Sequence, residues 1–257
     1  MKGAILGDIV GSRLERRGLK TTDFDLFTVQ CRFTDDTVLT VAVADAILNQ
    51  ADFGQTIKAY ANRYPEAGFG SFFKRWMRDE LEEEYRSWGN GGAMRVSPVG
   101  WLYNDLESVR RAARAATEPT HGHPEGVRGA EAVATAIFLA RQGADKEDIR
   151  RFLREEFRYR LDRTVADIRP DYAFDVSAAG SVPEAIVAFL DSKDLLDAIR
   201  LAVSLGGDAD TQAAIAGSIA EAYYGPVPPA VEEVMNSFLP AEFTDVIAAF
   251  ERALQVG

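Results

Sequence analysis

Apolar residues recur at helical spacing along almost the whole of this chain, and runs that alternate every second residue between turn signals are nearly absent. That pattern commits a chain to helices packed on helices. Val38, Leu39, Ala42, Val43, Ala46 and Ile47 share one face of a helix expected over 35–49, with Thr34 as its N-cap. Further helices are expected over 54–64, stopped by Pro65, and over 71–85, 105–117, 124–141 and 145–160. A Gly-rich break at 89–92 and a loop at 118–124 separate some of them. Ser181 can cap a helix begun by Pro183, and Ser192 another that ends at Gly206. Another is expected over 210–224, closed by Gly225-Pro226, and the last two start near Pro229 and Pro240. The pattern predicts an all-α fold, one compact multi-helix domain over 1–257; a 47% hydrophobic content is enough for a sizeable core.

Gly3, Gly7 and Gly11 are spaced by four, which puts them on one face of a first helix where another backbone can come close. This is not the G-x-G-x-x-G spacing that follows a strand in dinucleotide-binding folds. The segment after Asp210 has a matching side of small residues, Ala213, Ala214, Gly217 and Ala220. It can pack on that glycine face or on the helix that follows Asp36.

Two acidic clusters, Thr34-Asp35-Asp36-Thr37 and Asp208-Ala209-Asp210-Thr211, each stand at the head of an apolar helical run. Capping a helix needs one oxygen. Adjacent carboxylates repel unless a cation neutralises them. Brought together, the clusters would offer an all-oxygen donor set suited to Mg²⁺ or Mn²⁺ and poorly suited to Zn²⁺.

Ser87-Trp88-Gly89-Asn90-Gly91-Gly92-Ala93-Met94 is either a plain turn or a loop whose backbone N–H groups crowd around an anion. The only two histidines, His121 and His123, cannot complete a zinc site by themselves, and His121 could donate to a phosphate or a ribose. Glu15 sits in a mixed-charge stretch that reads, alone, as surface.

A net charge of −11 argues against a general grip on a nucleic-acid backbone, and the Arg-containing stretch 150–163 is interleaved with acids. Cys31 is the single cysteine, which excludes an internal disulfide and a Cys-based metal cluster. The apolar start is broken by Asp8, too early for a signal sequence or a membrane span. A cytoplasmic protein without membrane association, monomeric rather than oligomeric, is the expectation.

Five segments, in this order, resemble the ADP-ribosylglycohydrolase family, which includes dinitrogenase reductase-activating glycohydrolase. They are GAILGDIVGSRLE at 3–15, FTDDTVLTVAVADAIL at 33–48, WGNGGAMRVSPVGWLY at 88–103, THGHPEGVRGAEAVATAIF at 120–138 and SLGGDADTQAAIAGSIAEAYYG at 204–225. The resemblance implies an all-α hydrolase that removes ADP-ribose from a modified acceptor by cleaving an N- or O-glycosidic bond, with two divalent cations, Mg²⁺ or Mn²⁺. It implies that Thr34, Asp35, Asp36, Asp208, Asp210 and Thr211 are the metal ligands. Ser87, Trp88, Gly89, Asn90, Gly91, Gly92 and Met94 would surround the diphosphate and ribose, helped by His121. Trp88 stands where some relatives have Tyr. Glu15 falls at an acidic position that gates the site and acts in catalysis in some members, so Glu15, Asp35 and Asp36 are the candidate catalytic residues. Two competing readings use the same residues: a binuclear-metal phosphohydrolase acting on a nucleotide or sugar phosphate, and a non-catalytic ADP-ribose binder.

Overall fold

Caps and breakers decide where each helix begins and ends. The computed structural model describes residues 1–81 and 85–256. Among them run fifteen helices and no strand, as the periodicity predicts.

Helix α1 (Lys2–Gly11) is buried along its whole length. α2 (Asp35–Leu48) begins where expected, with the Thr34 hydroxyl accepting from the Asp36 N–H. α3 (Phe53–Arg63) is capped by Asp52, and α4 (Ser71–Met77) follows. The helix expected to reach Tyr85 stops at Met77, because Asp79 takes a left-handed backbone that a helix cannot accommodate; residues 82–84 of that stretch lie outside the described residues.

Two short helices, α5 (Gly91–Arg95) and α6 (Ser97–Leu102), stand where the Gly-rich break and its continuation were expected. α7 (Leu106–His121) passes Thr117 and runs through Pro119 for another turn. Near that helix end the guanidinium of the buried Arg95 donates to the Ala116 and Thr117 carbonyls. His121 therefore lies in a helix rather than in a loop.

α8 (Pro124–Arg141) starts at its proline, capped by His123. α9 (Lys146–Phe157) ends at the left-handed Arg158, before Arg160. A single turn, α10 (Val165–Ile168), precedes α11 (Ala178–Asp191). Ser177, not Ser181, caps α11 by accepting from Gly180 N–H at 2.9 Å, so Ser181 and Pro183 fall inside the helix. α12 (Leu195–Val203) is likewise capped by Asp194 in place of Ser192, whose hydroxyl instead donates back to the Phe189 carbonyl. α13 (Ala209–Tyr224), α14 (Pro229–Asn236) and α15 (Ala241–Val256) complete the chain.

One contiguous apolar core extends from Ile5 and Leu6 of α1 through Leu39, Ile137, Phe189 and Ile215 to Phe243 and Phe250 of α15. At its centre α1 and α13 lie antiparallel at near backbone contact. A Cβ on Gly3 would be 2.2 Å from the Gly217 carbonyl oxygen, on Gly7 2.1 Å from that of Ala213, and on Gly11 2.5 Å from that of Ala209. Only glycine allows this approach. The register puts the end of α1 against the start of α13, and so sets Asp8 and Gly11 beside Asp208 and Asp210. No helix among the described residues is long and apolar enough to cross a membrane.

Candidate active site

The first turns of α2 and α13 meet at one cavity of about 360 Å³, within the roughly 300–1,000 Å³ usual for small-molecule clefts. Thr34, Asp35, Asp36, Asp208, Asp210 and Thr211 all line it, together with Glu15, Ser87, Gly89, Asn90, Gly91, Met94 and His121. The two acidic clusters therefore converge. The Thr211 hydroxyl donates to Asp36 Oδ2 at 3.3 Å across that junction.

Asp8 holds the arrangement from below. It is fully buried and accepts from the Thr34 N–H at 2.8 Å, the Thr34 hydroxyl at 2.7 Å, the Thr37 N–H at 3.1 Å and the Thr37 hydroxyl. The single carboxylate thus orients both the cap and the first turn of α2. Thr34 also accepts from Asp36 N–H, so capping accounts for its hydroxyl. Capping does not account for Asp208. Its side chain caps nothing and instead accepts from Asn90 Nδ2 at 2.8 Å, an amide that also donates to Ser181 Oγ at 3.1 Å.

Negative charge is concentrated here. Burial, then the charge of Asp8, pushes the Asp35 carboxyl up to about 7. Asp36 is held well above the ordinary carboxylate range by burial and by the Asp8, Asp35 and Asp208 charges. Asp210 is raised in the same way by burial, Asp208, Asp36 and Asp8. Asp208 is also raised, chiefly by burial, although Asn90 and Arg16 work against that. For Asp8, burial outweighs its four hydrogen bonds. Asp36 Oδ1 is buried with no hydrogen-bond partner among the described residues. An orphaned carboxylate oxygen inside a like-charged cluster is costly unless a cation occupies the space. The donor set, carboxylates and hydroxyls only, fits a hard divalent cation. Among the described residues, no three His, Cys, Asp or Glu side chains are drawn together into a finished cage. The residues form a cation-compatible acidic pocket, not an assembled ligand shell.

The opposite wall is built from the glycine segment, held at both ends. Ser87 N–H donates to Thr120 O, Asn90 N–H to Val176 O, and Ala178 N–H to Trp88 O. Gly89 N–H is taken by Ser87 Oγ at 3.0 Å. The amides of Gly89 and Asn90 are thus engaged within the protein. Two expected residues are elsewhere. The Trp88 side chain is 55% exposed and does not line the cavity. Gly92 is buried in α5 with its Cβ position 2.4 Å from the Thr117 side chain, so it faces α7. Glu15 stands at the half-exposed rim, paired with Arg16 at 3.1 Å.

Arg16, Arg32, Tyr85, Phe174 and Val176, which line the cavity, and Asp8, which braces it, belong to none of the expected ligand or substrate-binding sets. Asp8 had a signal, since an acid inside an apolar helix start must find buried partners. Phe174 and Val176 lie in irregular chain before α11, and no spacing marks them.

The site is thus an acidic pocket between two helix starts of an all-helical fold, with a glycine-lined opposite wall. The ADP-ribosylglycohydrolase family pattern matches residues 1–254, and the chain belongs to that family. It is 28% identical to the ADP-ribosylhydrolase ARH3 of Mus musculus, over 96% of this chain and 88% of that protein. It is also 28% identical to the ADP-ribosylarginine hydrolase Tri1 of Pseudomonas putida (strain GB-1), over 87% of this chain and 70% of that one. A solved structure titled "ADP-ribosylglycohydrolase-related protein complex" superposes with a TM-score of 0.74 at 25% identity, covering 98% of this chain and 95% of the other.

Proposed function

We propose that this protein is a hydrolase that releases ADP-ribose from a modified acceptor by cleaving an N- or O-glycosidic bond, with two divalent cations, Mg²⁺ or Mn²⁺, held by Thr34, Asp35, Asp36, Asp208, Asp210 and Thr211. The observation that carries this reading is the meeting of the two acidic helix starts in one cavity with an unpartnered Asp36 oxygen. Family membership and the likeness to two ADP-ribosyl hydrolases support the substrate class.

Bound there, the cations would neutralise the clustered carboxylates, polarise ribose hydroxyls and make a water more acidic. The protein's own groups would do the rest. Asp35 or Asp36, both lining the cavity, can hold the attacking water and accept its proton. Glu15, at the rim, is the candidate acid or base toward the leaving group. Met94 and the α5 start would hold the ribose and diphosphate so that the anomeric carbon meets the water. The reaction would pass through an oxocarbenium-like transition state.

The test is a panel of arginine-, serine- and nucleic-acid-linked ADP-ribose, assayed with and without Mg²⁺ or Mn²⁺. Metal-dependent release of ADP-ribose from at least one linkage is expected. Release of phosphate alone would favour phosphohydrolysis, and binding without turnover of any linkage would leave only a binding protein.

A further inference from the structure

Arg95 is 0% exposed, and every hydrogen bond it makes goes to a neutral oxygen. Nε and Nη2 donate to Ala116 O at 3.2 and 2.8 Å, and Nη2 also donates to Thr117 O at 3.4 Å and to Thr120 Oγ1 at 2.8 Å. Thr120, itself fully buried, places the same Oγ1 2.8 Å from His121 Nδ1. The three side chains form a line that starts in the core and ends at the cavity wall.

The direction of the protons along that line follows from what each group can do. A guanidinium has donors and no acceptor, so Thr120 Oγ1 accepts from Arg95. A hydroxyl has one proton to give, and His121 Nδ1 is the side-chain acceptor it meets. If Nδ1 carried the proton instead, Oγ1 would accept twice and its own O–H would be buried without a partner, a penalty that favours the opposite arrangement by roughly 5- to 150-fold.

We propose that Arg95, acting through Thr120, fixes His121 as the tautomer protonated on Nε2, so that the ring offers an N–H donor to the cavity beside the Gly89–Gly91 turn. The ring edge that carries Nε2 faces this turn: a Cβ on Gly91 would lie 2.6 Å from both Nε2 and Cε1, and one on Gly89 3.6 Å from Nε2. His121 is also kept neutral, by burial first and by the Arg95 charge second, so it acts as a neutral donor. Its acceptor would be an anionic oxygen of the diphosphate, a step that rests on the ADP-ribose reading above. Arg95 and Thr120 are positioning residues, since neither lines the cavity.

The experiment uses ¹⁵N-labelled full-length protein and long-range ¹H–¹⁵N correlation of the imidazole rings. The chain has only two histidines, so His123→Asn, which keeps a capping side chain at α8, assigns the signals. Without ligand, His121 should show a protonated Nε2 and a bare Nδ1. Thr120→Val should lose this pattern and weaken ADP-ribose binding about tenfold, whereas Thr120→Ser should keep both. A wild-type spectrum with the proton on Nδ1 overturns the proposal, and this holds even if Thr120→Val does not fold. So does a folded Thr120→Val protein with unchanged tautomer and affinity. A wild-type protein with Nε2 protonated but no affinity for ADP-ribose would support the relay and overturn the ADP-ribose reading instead.

Discussion

The hydroxyl of Thr211 donates to Asp36 Oδ2 at 3.3 Å, joining the first turns of two helices from opposite ends of the chain. This contact exists because α1 lies beneath both turns. Its glycine face admits the α13 backbone, and its Asp8 carboxylate grips the α2 cap. Acidic residues that would be unremarkable caps in isolation thereby become neighbours in a low-dielectric pocket, where their mutual repulsion dominates.

Asp36→Asn should separate stability from function. The substitution removes a buried charge that faces Asp8, Asp35 and Asp208, so the metal-free protein should be unharmed or more stable. A gain of about 1 kcal/mol would raise Tm by roughly 2–4 °C at this size. The same variant should lose the increase in Tm that Mn²⁺ gives the wild type, and should lose turnover. Thermal denaturation with chelator and with Mn²⁺ checks both halves. A variant that is stabilised yet still responds to Mn²⁺ would remove Asp36 from the ligand set.

The stability of the metal-free protein should fall as pH rises. Asp35 titrates near 3.8 when unfolded and about 7 when folded, so across that window the folded state holds the extra proton. Stability is therefore full below 3.8, declines through the window, and above about 7 the loss is complete. For Asp35 alone the loss has an upper limit of about 4 kcal/mol. A divalent cation at 100 times its Kd should return about 2.7 kcal/mol, and its effect on Tm should be larger at pH 8 than at pH 5. Equal stabilisation at both pH values would contradict the charge cluster as its binding site.

Gly7→Ala tests the packing that brings the site together. The new methyl would sit 2.1 Å from the Ala213 carbonyl oxygen, and backbone on both sides leaves nothing flexible to give way. A destabilisation of about 1–3 kcal/mol or more is expected, with weaker metal binding, because Asp8 is the next residue on the shifted helix. Equilibrium denaturation and metal titration of the same preparation measure the two effects. Unchanged stability would mean that the α1–α13 contact is looser than this geometry.

The sequence was most legible where local chemistry decides the outcome. Periodicity and caps fixed α2, α3, α8 and α13 to within a residue or two, and the acid-headed helices and the glycine face on α1 gave the convergence. It was less legible at helix ends that a proline does not decide. Residues 118–121, expected as part of a loop, form the last turn of α7, which runs through Pro119. Pro183 reads as a start, yet Ser177 caps the helix a turn earlier. In the site, the apolar setting of Asp8 signals that it must find buried partners, but which ones cannot be read from the sequence, since Thr34 and Thr37 are adjacent to it only after folding. Trp88 and Gly92 are part of the motif but do not line the cavity: the Trp88 side chain is exposed, and Gly92 lies on the face of α5 that packs against Thr117 of α7.

Glu15→Gln should impair turnover more than affinity. The side chain lies at the half-exposed rim, where it pairs with the adjacent Arg16, so its loss should cost the fold little. It is near enough to Asp35 and Asp208 for its charge to raise both carboxyls, which places it over the acidic pocket rather than beside the glycine wall. A group there can exchange a proton with a leaving group but has little to hold a diphosphate with. The expected result is ADP-ribose affinity within about twofold and a fall in kcat of about 10²–10⁴, the usual range for a lost general acid or base. Calorimetric titration with ADP-ribose and single-turnover rates on the linkage that proves cleavable distinguish the two quantities. A variant that loses affinity and rate in equal proportion would make Glu15 a binding residue, and unchanged kcat would leave the acid–base role to Asp35 or Asp36.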